Sequence, residues 1–99
     1  MNAVNFDDKF TIHATGLQKS YTTGGERTVV LSDVDFEAKA GEMTMVVGPS
    51  GSGKSTLLAA VSGLLRPDKG EVKALGEDLW QMADGRIDAF RLRNCGFVF

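Results

Sequence analysis

The stretch that decides the fold reads Gly48-Pro49-Ser50-Gly51-Ser52-Gly53-Lys54-Ser55-Thr56. It fits the pattern G-x-x-x-x-G-K-[ST], in which glycines let backbone N–H groups turn inward around a phosphate. Lys54 adds a mobile positive charge for the outer phosphates, and the Ser55 hydroxyl is placed to bind Mg²⁺. The stretch therefore predicts a loop that binds the phosphates of a nucleoside triphosphate together with Mg²⁺.

The segments on either side of this loop match the strand and the helix that such a loop requires. Met43–Val47 is mostly apolar, which is typical of a central strand covered on both faces. After the loop, one helical stripe contains Leu57, Leu58, Val61, Leu64 and Leu65, so we predict a helix over Lys54–Leu65. The free amides and the dipole at its N-terminus favour a bound anion. Together these features predict an α/β fold of the P-loop NTPase class.

Alternation of apolar and polar residues predicts most of the remaining elements. Strands are expected at Phe10–Thr15, Val34–Ala38 and Glu71–Leu75, and a loop is expected at Thr22–Glu26. In the second strand Val34 and Phe36 are predicted to face the core, with Asp33, Asp35 and Glu37 on the outer face. A helix is predicted at Asp84–Arg93, with Asp84 as N-cap and with Ile87 and Phe90 inward. Cys95–Phe99 is predicted to begin another buried strand, and residues 1–9 to form a flexible N-terminus.

Composition excludes several classes of function. The 99 residues contain 11 basic and 13 acidic side chains, and a net charge of −2 gives no electrostatic case for nucleic acid or an anionic membrane. The longest uncharged stretch outside the glycine-rich loop, Ser55–Leu65, is shorter than the roughly 20 residues that a membrane-spanning helix needs. A single cysteine excludes an internal disulfide and favours a reducing compartment. The polar start of the chain is not typical of a signal peptide.

Several segments around the loop make the chain similar to the ATP-binding cassette (ABC) ATPases. Gly48–Leu58 has the form that is typical of their phosphate-binding loop, and Leu17–Tyr21 resembles their adenine-stacking loop. The other similar segments are Val30–Phe36, Gly41-Glu42, Ser62–Leu64 with Pro67, Gly70 and Gly76, and Arg91–Phe99, which resembles the approach to the Q-loop. The resemblance covers residues 10–99 and implies the N-terminal part of an ABC nucleotide-binding domain, ending before the Q-loop. Its implied architecture is an antiparallel β subdomain joined to a β–P-loop–α core.

This resemblance implies a function and a set of site residues. ATP and Mg²⁺ are the expected ligands, with Tyr21 stacking on adenine, Ser55 binding the metal and Lys54 stabilising phosphate charge. The remaining contacts to the nucleotide are expected from Gly48, Pro49, Ser50, Gly51, Ser52, Gly53 and Thr56. The expected partners are a transmembrane permease subunit and a second nucleotide-binding domain, with no nucleic acid, at the cytoplasmic face of the membrane. The Thr22–Thr28 insertion resembles the lipoprotein-release and macrolide-exporter branch, which implies export.

Two alternatives remain open at the level of sequence. One is a soluble ABC-type ATPase that acts in DNA repair or translation, and the other is a non-enzymatic nucleotide-binding product. The signature LSGGQ and the Walker B carboxylates of the family lie outside the 99 residues, so we expect no ATP hydrolysis by this segment alone.

For several other polar, aromatic and sulfur-containing side chains, the sequence predicts a structural or solvated role. His13 is predicted to be a solvated surface residue, and Cys95 a small buried one. Trp80 and Met82 are expected to pack locally, and the alternative is that they face a transmembrane partner. We expect a solvated helix face, and no nucleic-acid contact, from Arg86, Arg91 and Arg93.

Overall fold

A long antiparallel hairpin forms the centre of the computed structural model, which describes residues 10–48 and 53–96. Its strands are β1, Phe10–Thr23, and β2, Glu26–Lys39. They are joined at Gly24 and Gly25, whose φ angles of 59° and 83° suit a tight turn of the I′ kind. The loop predicted at Thr22–Glu26 is therefore shorter than expected, because Thr22 pairs with Arg27 and Thr23 with Glu26 inside the ladder.

Two further strands and three helical segments complete the described part of the chain. β3, Lys69–Ala74, pairs with β1, and β4, Glu77–Asp78, pairs with β3, which gives an antiparallel sheet of order β2-β1-β3-β4. The helices are α1, Lys54–Ser62, and α2, Asp84–Asn94, with a 3-10 turn at Leu79–Gln81 between them. The antiparallel subdomain predicted by resemblance is thus confirmed.

The core lies between the sheet and the two helices. Its sheet residues include Ala14, Leu17 and Val72, all with no exposed surface. The helical contribution comes from Leu57, Ala60, Val61, Leu79 and Ile87, and Met82 adds to it from the segment between the 3-10 turn and α2. Val34, Phe36 and Phe90 are partly buried against this cluster, as their spacing predicts. Asp33, Asp35 and Glu37 are exposed between them, so the alternation predicted along β2 is confirmed.

Both predicted helices exist, with differences at their ends. α1 ends at Ser62 instead of Leu65, because Gly63 takes a left-handed φ of 90° and closes the helix. Leu58 and Leu64 are consequently outside the buried stripe, with 47% and 50% of their surface exposed. The assignment of Asp84 as N-cap is wrong, since Ala83 occupies that position and Asp84 is the first helical residue. Its carboxylate still suits the positive end of the helix.

The prediction of a central strand at Met43–Val47 is wrong for this structure. The segment has no regular secondary structure, and Met43, Met45 and Val47 are 95%, 78% and 77% exposed. Only Val46 packs against the core cluster. None of the ladders among the described residues includes the segment, and a strand requires a neighbour for its backbone N–H and C=O groups. The strand predicted at Cys95–Phe99 falls largely outside the described residues, and Cys95 and Gly96 have no regular structure.

A close backbone approach between β1 and β3 depends on a glycine. Gly70 has a φ of 101°, and a Cβ at this position would lie 2.6 Å from the carbonyl oxygen of Gly16. Gly16 itself has a φ of 62°, and its N–H donates to Asp35 Oδ1 at 2.8 Å. The irregular pairing around Gly16 on both sides of β1 is therefore held by a side chain from β2.

Replacement of Gly70 by alanine should destabilise the fold more than replacement of Gly76. Gly76 has a φ of 79° but open space around the Cβ position, so Gly76→Ala should cost only the left-handed strain of about 1–2 kcal/mol. Gly70→Ala adds a clash with backbone and should cost about 1–3 kcal/mol more. Urea unfolding followed by the fluorescence of Trp80 measures the difference. Equal losses for the two variants would contradict the close approach.

Candidate functional site

The start of α1 is fixed against a bulge in β2. Lys19 pairs with Leu31 and Ser20 with Val29, which leaves Val30 as an extra residue in the ladder. Gly53, the N-cap of α1, has a φ of 92°, and a Cβ there would lie 2.9 Å from the Val30 carbonyl oxygen. Only glycine fits both the backbone conformation and the space. The last glycine of the motif therefore joins the predicted phosphate-binding loop to the sheet.

The two ends of the predicted phosphate-binding loop meet at Lys54. The ammonium Nζ of Lys54 donates to the carbonyl oxygen of Gly48. Ser55 is exposed and Thr56 is half-buried in the first turn of the helix, which contains no acidic residue. The positive end of α1 is therefore not neutralised by its own side chains. The predicted contacts from Pro49, Ser50, Gly51 and Ser52 lie outside the described residues.

The opposite end of α1 is held by three side chains. Trp80 Nε1 donates to the carbonyl oxygen of Ala60 at 2.9 Å. Arg91 Nη1 donates to Gly63 at 3.2 Å, and the Cys95 thiol approaches the Ser62 carbonyl oxygen at 3.8 Å. Carbonyl groups at a helix C-terminus have no partner within the helix, so these contacts satisfy them. Local packing of Trp80 is thereby confirmed, and the solvated role predicted for Arg91 is wrong.

Tyr21 lies on the hairpin close to the bulge that holds Gly53. It pairs with Thr28 in the ladder, two positions along β2 from Val30. Its side chain is 43% exposed, and Lys19 Nζ lies 5.4 Å from the ring centroid. An exposed aromatic ring with a cation on it is a suitable platform for a planar base.

Asp68 makes contacts to β1 that the sequence analysis missed. Its Oδ2 accepts the N–H of Ser20 at 2.8 Å and the Ser20 hydroxyl at 3.2 Å, and its Oδ1 lies 3.3 Å from Lys19 Nζ. The Asp68 N–H donates to the Gln18 carbonyl oxygen at 2.7 Å. The hydrogen bond from the Ser20 N–H, followed by the effect of Lys19, lowers the pKa of Asp68. The only signal in the sequence was the Pro67–Gly70 turn, which does not indicate a partner.

The other polar residues form pairs on the surface. His13 lies 3.7 Å from Glu37 across the hairpin. Its side chain is 22% exposed, so its predicted position on the surface is confirmed, although part of the imidazole is covered. Arg86 pairs with Glu77 at 2.8 Å and Arg91 with Asp88 at 3.3 Å. Within residues 10–48 and 53–96, no group of three or more His, Cys, Asp or Glu side chains could hold a metal ion. In the same residues no helix is long and apolar enough to cross a membrane.

The fold, together with the sequence of the glycine-rich motif, points to a class of protein. A glycine-rich loop leads into a helix that packs on an antiparallel sheet, and an exposed tyrosine lies on the neighbouring hairpin. The sequence profile described as "ABC transporter" matches residues 31–99. The chain therefore belongs to the ABC transporter family, and the resemblance described above is confirmed.

Within this family, the chain is similar to ATP-binding proteins of lipoprotein-releasing systems. The "Lipoprotein-releasing system ATP-binding protein LolD" of Chromohalobacter salexigens is 39% identical over 93 residues, which are 94% of this chain and 39% of that protein. LolD of Idiomarina loihiensis is 43% identical over 83 residues, covering 84% of this chain and 36% of that protein. The chain spans less than half the length of these curated relatives. The similarity to the lipoprotein-release branch that the sequence predicts is thus confirmed.

A solved structure shows the same fold. The ATP-binding cassette MJ0796, described as a dimer in a post-hydrolysis state bound to ADP and Pi, superposes with a TM-score of 0.77 at 32% identity. The superposition covers 81% of this chain and 34% of that one. The predicted fold class, an incomplete P-loop NTPase of the ABC kind, is therefore confirmed.

Replacement of Trp80 by phenylalanine should loosen the C-terminal end of α1. The variant keeps an aromatic ring but leaves the Ala60 carbonyl without its donor, so the free energy of unfolding should fall by about 1–2 kcal/mol. Urea unfolding followed by far-UV circular dichroism measures this loss. Leu92→Ala is the control, because Leu92 is 82% exposed and its truncation should change stability by less than about 0.5 kcal/mol. A Trp80→Phe variant as stable as this control would contradict the role of the indole.

The thiol of Cys95 should ionise at higher pH in the folded chain than in the unfolded one. Burial raises its pKa, and the nearby Arg91 guanidinium opposes that effect only in part. Because the thiolate is the reactive form, the rate of alkylation by iodoacetamide should rise at a higher pH in buffer than in urea. The two pH profiles of the same chain provide the comparison. Coincident profiles would show that the thiol is solvated.

Proposed function

We propose that this chain binds MgATP through the segment Gly48–Thr56, with Tyr21 stacking on the adenine. The observation that carries the proposal is the geometry at the start of α1, where Gly53 fixes the helix against Val30 and Lys54 closes the loop onto Gly48. The N-terminus of α1 carries a partial positive charge, and the Lys54 ammonium adds a full one beside Gly48. A phosphate chain is the ligand that both features suit.

Ser55 is the proposed ligand of Mg²⁺, and Tyr21 is the proposed partner of the base. Mg²⁺ commonly binds through one or two protein oxygens, substrate phosphates and water, so a single exposed hydroxyl such as that of Ser55 fits this ion. The lack of a carboxylate cluster in the described residues does not conflict with such a site. Tyr21 lies on the same hairpin as Val30, which supports its assignment to the base of the same nucleotide.

The activity of the whole protein is a wider proposal. Its relatives are named as ATP-binding proteins of a lipoprotein-releasing system, and MJ0796 is described as a dimeric cassette. We infer that the longer protein dimerises around ATP, associates with a transmembrane permease at the cytoplasmic face of the membrane, and couples hydrolysis to export. For the present chain the proposal is nucleotide binding, since it spans less than half of those relatives.

Replacement of Lys54 by alanine should weaken MgATP binding at least about tenfold, because a charge-assisted contact to phosphate is lost. Isothermal titration calorimetry of the chain with MgATP measures the affinity. Lys39→Ala is a matched control that removes one exposed lysine at the end of β2, far along the hairpin from Val30. Its affinity should equal that of the wild type.

Two results would contradict the phosphate assignment. One is an equal affinity of the wild type and Lys54→Ala for MgATP. The other is a loss in Lys39→Ala as large as in Lys54→Ala, since this would indicate a general effect of net charge and no specific site.

A further inference from the structure

We propose that Asp68 is a positioning residue for the base-binding ring of Tyr21. The inference rests on the proposed function, because it concerns the base end of the same nucleotide site. Asp68 does not contact the nucleotide in this proposal. It acts through Lys19 and Ser20, the residues that precede Tyr21 on β1.

β3 supports the backbone of β1 only up to a point before Tyr21. β3 begins at Lys69, which pairs with Gln18, so beyond this point β3 no longer covers the outer side of β1. The Asp68 carboxylate takes over here, because its Oδ2 accepts the N–H of Ser20 at 2.8 Å. The Asp68 N–H bond to Gln18 fixes the carboxylate's own backbone in the same place. Asp68 thus extends the support of β1 to the residue next to Tyr21.

Lys19 connects Asp68 to the ring of Tyr21. Lys19 Nζ donates to Asp68 Oδ1 and to the Arg66 carbonyl oxygen at 3.1 Å, and only 16% of its side chain is exposed. With both acceptors on the connection between α1 and β3, the ammonium is held over the Tyr21 ring at 5.4 Å. The ring is therefore restricted on the side of Lys19. A base can stack on the surface that stays exposed.

The hydroxyl of Ser20 connects Asp68 to β2. It donates to Asp68 Oδ2 at 3.2 Å and accepts from Arg27 Nε at 3.1 Å. Arg27 belongs to β2, so the carboxylate is linked through Ser20 to both strands of the hairpin. Both strands that flank Tyr21 are thereby connected to Asp68. A preformed ring lowers the cost of ordering when a base binds.

The test separates the base end of the ligand from its phosphate end. MgATP and magnesium tripolyphosphate are titrated into the wild type, Asp68→Asn, Tyr21→Ala and the double variant. Tyr21→Ala should weaken MgATP binding by about 5- to 150-fold, the range expected for one base–aromatic stack. Asp68→Asn keeps the shape but removes the charge, and should weaken MgATP binding by roughly three- to tenfold through a less ordered ring. Tripolyphosphate affinity should stay unchanged in all three variants.

Coupling between the two positions is the decisive measurement. If Asp68 acts through the ring, the double variant should bind MgATP no more weakly than Tyr21→Ala alone. Asp88→Asn is the control, since it removes another exposed carboxylate paired with a cation, on α2, and it should bind both ligands like the wild type. The emission of Trp80 checks that each variant is folded.

The outcomes distinguish this inference from the proposed function. Additive losses in the double variant, or an equal loss of tripolyphosphate affinity in Asp68→Asn, would overturn the positioning role and leave nucleotide binding intact. A wild-type chain that binds neither ligand would overturn the proposed function, and the positioning role with it.

Discussion

The contact between Gly53 and the bulged backbone of β2 determines where the rest of the site can lie. The Val30 carbonyl oxygen would be 2.9 Å from any Cβ at position 53, so the helix can begin there only on a glycine. The bulge and the left-handed glycine are each unfavourable or neutral in isolation. Together they place the N-terminus of α1 on the hairpin that carries Tyr21. The separation between Tyr21 and the N-terminus of α1 is therefore set by the register of the hairpin.

The C-terminal end of α1 is also held in place by other parts of the chain. Trp80, Arg91 and Cys95 contact the carbonyl groups of Ala60, Gly63 and Ser62 at the C-terminal end of α1. The N-terminal end has no acidic side chain in its first turn. A helix whose C-terminal end is bonded to protein groups and whose N-terminal end lacks an acidic side chain favours a bound anion at its N-terminus. Packing of the apolar stripe, above all Leu57, Ala60 and Val61, keeps the helix in that orientation.

Features that depend on nearby residues could be predicted from the sequence, and features that depend on distant ones could not. The alternation along β2, the inward position of Ile87 and the start of α1 follow from local spacing. The contacts of Asp68 join residues 48 positions apart, and neither Ser20 nor Val30 carries a local signal of its role. The segment Met43–Val47 shows that a local pattern can also predict an element that does not form. Its apolar character is suited to a buried strand, but strand formation depends on partners that its own pattern does not specify.

Gly70 and Asp68 both help to hold the part of β1 that leads to Tyr21. Gly70 lets β3 approach Gly16 closely. The two residues before Gly70 therefore lie against β1, where Lys69 pairs with Gln18 and Asp68 bonds to Gln18 and Ser20. A bulkier residue at position 70 would separate the strands, and the carboxylate would move away from β1. The close approach at Gly70 thus helps to fix the backbone next to Tyr21, because it keeps Asp68 within reach of Ser20. The exposed ring of Tyr21, the proposed base platform, therefore depends on the packing of β3 against β1.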